Sequence, residues 1–368
     1  MNIKINRKVL LESLQKVTGP AAGKTTFPIF SAVLIEIYDK KIRFISTDLE
    51  LTVISCMDLS DALDEKESFC VSLMKLISIL KEFSSPEVTL MTQKNFLWIT
   101  CENCELKLNI IDASEFPKLP VFKDKEAVKV QSEDLEEMIK STSFSVFVGE
   151  GNYVLNGVLC EIEKNFIRFV STDGKRLSSI KRKFPPSQPE INLKKSFILP
   201  YKSIVELSKV IRSYTGEIML IAGKKQVGFD LKDTQMITQL IEGEFPEYKK
   251  YIPKPAENKL KIDRSNFLSA LRRAEILSLP EYQGVKIELT KNKVTISKET
   301  PQLGAYKEEI EAEYKGKDLI LGFNPDYLTD VLKVFETPQV EFDVYDTDKP
   351  VVLRGDRYTY LALPMRLG

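Results

Sequence analysis

Two stretches of this chain are near copies of one another: KIRFISTD at 41–48 and FIRFVSTD at 166–173. A repeat of this kind restricts the fold strongly, because like units build like structures that pack through like surfaces. Each copy follows a segment with helical spacing: Leu10, Leu14 and Val17 in RKVLLESLQKV, then Leu135, Met138 and Ile139 in SEDLEEMIKST. A third segment, DRSNFLSALRRAEIL, carries Phe267, Leu271 and Ala274 and leads into the strand-like KVTISKE. Ser46, Ser171 and Ser297 are expected at equivalent places.

The second half of each unit repeats as well. LMKLISILKEF, KSIVELSKVIRS and NPDYLTDVLKVF each place apolar residues on one helical stripe, and strand-like alternation follows each. Asn324 is suited to cap the last of these helices, with Pro325 in its first turn. The first two units close on DASEFPKL and EGEFPEYKK, and the third stops at LPMRLG. The pattern predicts an α+β protein of three similar domains, 1–124, 125–252 and 253–368. Each has two helices on antiparallel sheets, with boundaries in polar, proline-containing stretches.

Histidine is absent, which excludes Ser-His-Asp and Cys-His catalysis and removes the commonest zinc ligand. Five scattered cysteines do not form a secreted disulfide framework. CENC at 101–104 has the spacing of half a zinc site, but its flanks alternate like strands, so Glu102-Asn103 reads as a hairpin tip. The aspartates of DTD at 346–348 and of the two STD stretches form no convergent set for magnesium. No phosphate-binding glycine loop occurs, so no cofactor is expected. Lys plus Arg and Asp plus Glu balance at 53 each, which argues against nucleic-acid binding by bulk positive charge but not against a basic surface. Basic residues do gather on two helices: Lys202, Lys209 and Arg212, and Arg272 with Arg273. No apolar run is long enough to span a bilayer and the first residues lack a signal core, so a cytoplasmic location is expected.

STDGKRL at 171–177, EGEFPEYKKYIP at 242–253 and YLALPMRLG at 360–368 resemble the bacterial DNA polymerase III beta subunit family, the sliding clamps. NYVLNG at 152–157 and SLQKVTGP at 13–20 extend the resemblance over essentially the whole chain. It implies three domains of one fold and two chains paired head to tail in a ring around duplex DNA. It also implies a non-catalytic role, tethering a replicative polymerase. An ATP-driven clamp loader would open the ring, and other polymerases and repair proteins would share its surface. Two other classes remain open from the residues themselves: a monomeric peptide-binding module, and a metal-dependent phosphoesterase.

The resemblance also carries site residues. A pocket for short partner peptides would comprise Leu155, Thr172, Gly174, Lys175, Arg176, Leu177, Pro246, Leu361, Leu363, Pro364, Met365 and Arg366. Within it Gly174 would permit a turn that a side chain could block, and Arg176 would frame the rim. Lys175 stands where the family commonly has histidine, and Gly368 follows the usual terminal leucine. Lys24, Tyr153 and Lys202 would contact DNA; the helix face adds Lys209 and Arg212. The seam between subunits would join Ile79, Phe83, Leu106 and Leu108 to Ile276 and Leu277.

Overall fold

The segments with helical spacing form helices where the stripes predict them. The first is α1 (Arg7–Lys16), followed at once by the short α2 (Thr18–Ala21). Then come α3 (Leu73–Glu82), α4 (Ser132–Thr142), α5 (Tyr201–Ile211), α6 (Arg264–Glu275) and α7 (Pro325–Val334). Their stripes are buried: Leu10, Leu14, Leu76, Leu80, Leu135, Met138, Leu207, Leu271, Val331 and Leu332 are all 0% exposed. Each such side chain contributes about 1.5–3 kcal/mol by leaving water. Asn324 caps α7 as expected, its Oδ1 accepting the Asp326 N–H at 3.0 Å. Asn6 and Asp263 cap α1 and α6 in the same way.

Contrary to expectation, the repeats do not begin with a helix. A five-residue strand precedes the first helix of each: Asn2–Asn6, Ala127–Gln131 and Lys259–Asp263. Each alternates buried and less buried residues, but over too short a length to stand out in a sequence.

The computed structural model describes residues 1–23, 26–59, 66–119, 126–188 and 194–366, and it divides into two compact units. The first comprises 1–133, 184–189 and 202–240; the second comprises 134–183, 190–201 and 241–368. The middle repeat is thus shared between them.

Two sheets occupy the first unit. One runs Asn2–Asn6, Glu87–Gln93, Phe96–Cys101, Cys104–Asn109. The other has nine strands, in the order Ala127–Gln131, Glu217–Ala222, Gln226–Asp230, Thr234–Gln239, Leu51–Asp58, Lys41–Thr47, Ala32–Tyr38, Glu67–Ser72, Ile111–Asp112. A strand of the middle repeat, Thr234–Gln239, therefore pairs with Leu51–Asp58 of the first repeat, with Thr234 opposite Ser55.

One sheet of twelve strands runs through the second unit. Its order begins Lys195–Pro200, Gly157–Glu163, Phe166–Thr172, Arg176–Lys183. It continues Tyr358–Ala362, Val351–Gly355, Gln339–Asp343, Lys259–Asp263, and ends Gly304–Tyr314, Lys293–Thr300, Val285–Thr290, Leu319–Phe323. Here Tyr358–Ala362 of the third repeat pairs with Arg176–Lys183 of the second, Leu361 opposite Leu177. Both junctions between repeats follow one rule: the last strand of one repeat joins the third hairpin strand of the repeat before it.

The hydroxyls of the copied stretches explain part of their likeness. Ser46 Oγ donates to the Val17 carbonyl and Ser171 Oγ to the Thr142 carbonyl, each tying a strand to the end of a helix. The third repeat departs from the expected equivalence. Counting from the hairpins, Tyr38 opposite Lys41 corresponds to Thr290 opposite Lys293, which puts Lys298 rather than Ser297 in the place of Ser46. Thr300 Oγ1 makes the tie instead, to the Leu277 carbonyl at 2.5 Å.

Candidate functional site

The copied stretches end in the same turn. In the first, Asp48 Oδ1 accepts the Glu50 and Leu51 N–H groups at 3.1 and 2.8 Å. In the second, Asp173 Oδ1 accepts those of Lys175 and Arg176, both at 2.9 Å. The turn needs one residue with positive φ: Leu49 at 76° in the first copy and Gly174 at 88° in the second. The expectation that a side chain would block this turn is therefore corrected, because the first copy makes it with leucine. A Cβ on Gly174 would meet nothing within 4 Å. What glycine removes there is backbone strain, not a clash.

Arg176 does not form an exposed rim. Its side chain is 12% exposed and turned inward, with Nε on Asp173 at 3.0 Å and Nη1 on Asp330 at 2.8 Å. Nη2 donates to the Phe144 carbonyl at 2.5 Å, and the guanidinium lies over the Tyr327 ring at 4.7 Å. Burial pulls against its charge, but Asp330, Tyr360 and Asp173 outweigh burial and raise its pKa. Arg176 thereby fastens the turn to α7, while Gly174 and Lys175 stay exposed. Around it lies a cavity of about 360 Å³ whose walls include Phe144, Phe147, Tyr201 and Tyr327. None of these aromatics was expected from the sequence, since nothing in their spacing separates them from core residues.

The remaining residues that the resemblance assigns to a peptide pocket divide into a buried set and an exposed set. Leu155, Leu177 and Leu361 are 6%, 4% and 5% exposed and so are buried. Leu177 and Leu361 pack with Leu159, Val170, Ile198, Tyr248 and Val352, and Phe245 and Ile241 cover them. Thr172 holds the turn by donating to the Arg176 carbonyl at 2.6 Å. The C-terminal residues run along the turn: the Leu363 N–H donates to the Lys175 carbonyl and the Met365 N–H to that of Gly322, both at 2.8 Å. Leu363 and Met365 stay 39% and 41% exposed, and Pro246 and Arg366 are exposed as well. Gly243, at φ 135°, brings the EGEFPEY segment against NYVLNG; a Cβ there would lie 2.6 Å from Val154 Cγ1. Two distant motifs are thus brought together by one close approach.

The basic residues are less free than the helix face implies. Lys202 is ion-paired with Asp48, and Lys209 with Glu206 at 2.5 Å. Arg212 and Tyr153 are exposed. Arg273 is held by Glu308 through two hydrogen bonds of 2.8 and 2.7 Å. Lys24 lies outside the described residues.

Of the residues expected at a seam, Leu106 and Ile276 are 40% and 76% exposed. Ile79, Leu108 and Leu277 are half-buried. Phe83, 8% exposed, is largely buried within its own unit, which makes it a core residue first. Among the described residues, strand Cys104–Asn109 pairs on one side only, with Phe96–Cys101. The tip of that hairpin is Glu102-Asn103, as expected, and Cys101 and Cys104 are register partners.

Family models for the N-terminal, central and C-terminal domains of the DNA polymerase III beta subunit match residues 1–120, 129–247 and 249–366. The chain belongs to the DNA polymerase III beta subunit family. The beta sliding clamp of Pseudomonas putida is 28% identical over the full length of both chains. That of Staphylococcus aureus is also 28% identical, over 100% of this chain and 99% of its own. The crystal structure of the Pseudomonas aeruginosa sliding clamp bound to griselimycin superposes with a TM-score of 0.94 at 28% identity, covering all of both chains. Members of the beta subunit family are non-catalytic processivity factors, and the three α+β domains expected from the repeats, with the clamp fold implied by the resemblance, are the fold found. No helix among the described residues is long and apolar enough to cross a membrane.

Proposed function

We propose that two copies of this chain close head to tail into a ring around duplex DNA and hold the replicative polymerase at its template. One observation carries this: the junction rule leaves two strands over. The last strand of the first repeat, Cys104–Asn109, and the third hairpin strand of the third repeat, Gly304–Tyr314, are the two that the rule leaves without a counterpart. Gly304–Tyr314 meets Lys259–Asp263 only through Ala312–Tyr314, so among the described residues its 304–311 stretch pairs on one side only; applied once more, between copies, the rule joins these strands twice and covers both open sides. Their charges can complement each other, with Glu105 and Lys107 on one and Lys307 and Glu309 on the other. Leu106, Leu108, Ile79, Ile276 and Leu277 would flank the seam.

The domains of such a ring are 1–124, 125–252 and 253–368. Lys24, Tyr153, Lys202, Lys209 and Arg212 would meet phosphates, which gives affinity without base readout and allows sliding. The ion pairs of Lys202 and Lys209 keep that attraction weak. Processivity is then an effective-concentration effect, because the enclosed duplex cannot diffuse away. The lip of Leu363, Pro364, Met365 and Arg366, with Pro246 and the 172–177 turn, would take short peptides from the polymerase, the clamp loader and repair proteins. Its adaptable methionine and leucine side chains suit several partners. We place this activity in the cytoplasm.

Sedimentation velocity tests the seam. The 42.0 kDa chain should sediment as a dimer, and Leu106→Asp should sediment as a folded monomer. A wild-type monomer at micromolar concentration, or an undiminished dimer in the variant, contradicts the proposed seam.

A further inference from the structure

A second concave site lies on the same face of the twelve-stranded sheet as Leu177 and Leu361. It is a cavity of about 360 Å³ lined by four cations, Arg168, Lys181, Lys249 and Arg357, and by no carboxylate. The cations come from separate elements. Arg168 and Lys181 are register partners on adjacent strands, and the Lys181 N–H donates to the Arg357 carbonyl at 3.0 Å. Two like charges therefore stand abreast on neighbouring strands, an arrangement that costs stability, and Arg357, in the turn that leads into the strand Tyr358–Ala362, adds a third beside them. Two carboxylates lie nearby. Glu161 accepts from Arg168 at 3.0 Å and lies 3.4 Å from Lys249; Asp356, itself exposed, is 3.7 Å from Arg357. The cations still outnumber them.

The fold does not require this row. The first repeat has the same Arg–Glu pair, Arg43 with Glu36 at 3.0 Å, yet the strand partner of its arginine is Cys56, not lysine. One row further along the face, the first repeat has apolar Ile54, where the second has Ser179 paired with Thr359. Ser179 and Thr359 also line the basic cavity. The row after that is Leu177 with Leu361, both buried residues of the proposed peptide pocket. Rows on one face are two residues, about 7 Å, apart. The cationic row is therefore about 14 Å from Leu177 and Leu361, a span that about four residues of extended peptide cover.

We propose that this cavity binds the acidic flank of partner peptides: carboxylates about four residues from the apolar anchor that enters the neighbouring pocket. The inference rests on the peptide-pocket function proposed above. Positive charge at the rim of an apolar site would select partners and speed their capture, and would weaken with salt.

Fluorescence anisotropy on the full-length protein tests it. Three labelled peptides share one leucine- and phenylalanine-containing core and differ only in a flank of glutamates, glutamines or lysines, placed at either end. The glutamate flank should tighten binding about tenfold over glutamine at low salt, and the lysine flank should weaken it. In Lys181→Gln/Arg357→Gln the glutamate advantage should fall below about twofold while the glutamine peptide binds as before. A glutamate advantage absent from the wild type, or intact in the double variant, overturns the inference and leaves the peptide pocket standing. Failure of all three peptides to bind removes the pocket and this inference together. If an oligothymidylate binds the wild type, is lost in the variant, and the flank has no effect, the occupant is single-stranded nucleic acid and the inference is wrong.

Discussion

Asp343 is 1% exposed and sits between Lys259 and the guanidinium of Arg354, whose Nε is 2.7 Å away. Arg354 also donates to the Pro253 carbonyl, so this carboxylate helps hold the segment that enters the third repeat. Burial pushes its carboxyl up, but the hydrogen bonds and charges of Lys259 and Arg354 outweigh burial and hold it below the ordinary carboxylate range. A folded-state value below the unfolded one, about 3.9, gives stability that is fully present above that pH and lost as pH falls through the folded value. Asp343→Asn should therefore cost about 2 kcal/mol or more at neutral pH and flatten the loss of stability below about pH 4. Thermal unfolding across pH reads both effects. The turn residues make a second test at this scale. Gly174→Ala should lose about 1–2 kcal/mol through strain alone. Leu49→Gly should be within about 1 kcal/mol of neutral, because relief of strain offsets the added freedom of the unfolded chain. Urea unfolding of the two variants separates strain from clash, since a clash would make Gly174→Ala far more costly.

At the scale of elements, the helices follow from their stripes and caps. Asn324→Ala should destabilise by about 1 kcal/mol, measured by urea unfolding, by leaving the Asp326 N–H without its cap. The helical stripes were legible because ten or more residues share one period, as Leu73, Leu76, Ile77 and Leu80 do in α3. The leading strands were not, because five alternating residues such as those of Asn2–Asn6 give too little signal. The equivalence of Ser297 failed for a related reason. Residue identity suggested one alignment, and only the hairpin register put Lys298 in that place. Lys298 is 5% exposed and donates to the Gly284 carbonyl at 2.8 Å, so the third repeat holds a different loop with a different group. The motifs of the proposed peptide pocket are legible in the sequence, but which of their residues are buried and which exposed is not. Arg176 looks like a surface residue in DGKRL, and its role as an internal fastener depends on Asp330, which is remote in sequence.

At the scale of the whole molecule, the proposed ring depends on topology. Among the described residues, repeats joined strand to strand leave one side open on Cys104–Asn109 and on residues 304–311, and two copies can satisfy both. Nothing in the composition hints at this, since the charges balance and each helix face alone is ordinary. The repeat itself is the signal, and it becomes decisive only with the register of the junctions at Leu51–Asp58 and Arg176–Lys183. The most direct measurement is retention on DNA after loading onto a nicked circle by the clamp loader proposed above, with ATP, followed by gel filtration before and after the circle is linearised. The protein should stay with the circle through high salt and be lost from the linear form by running off its ends. Equal retention on circle and line, or salt-sensitive loss from both, would contradict enclosure.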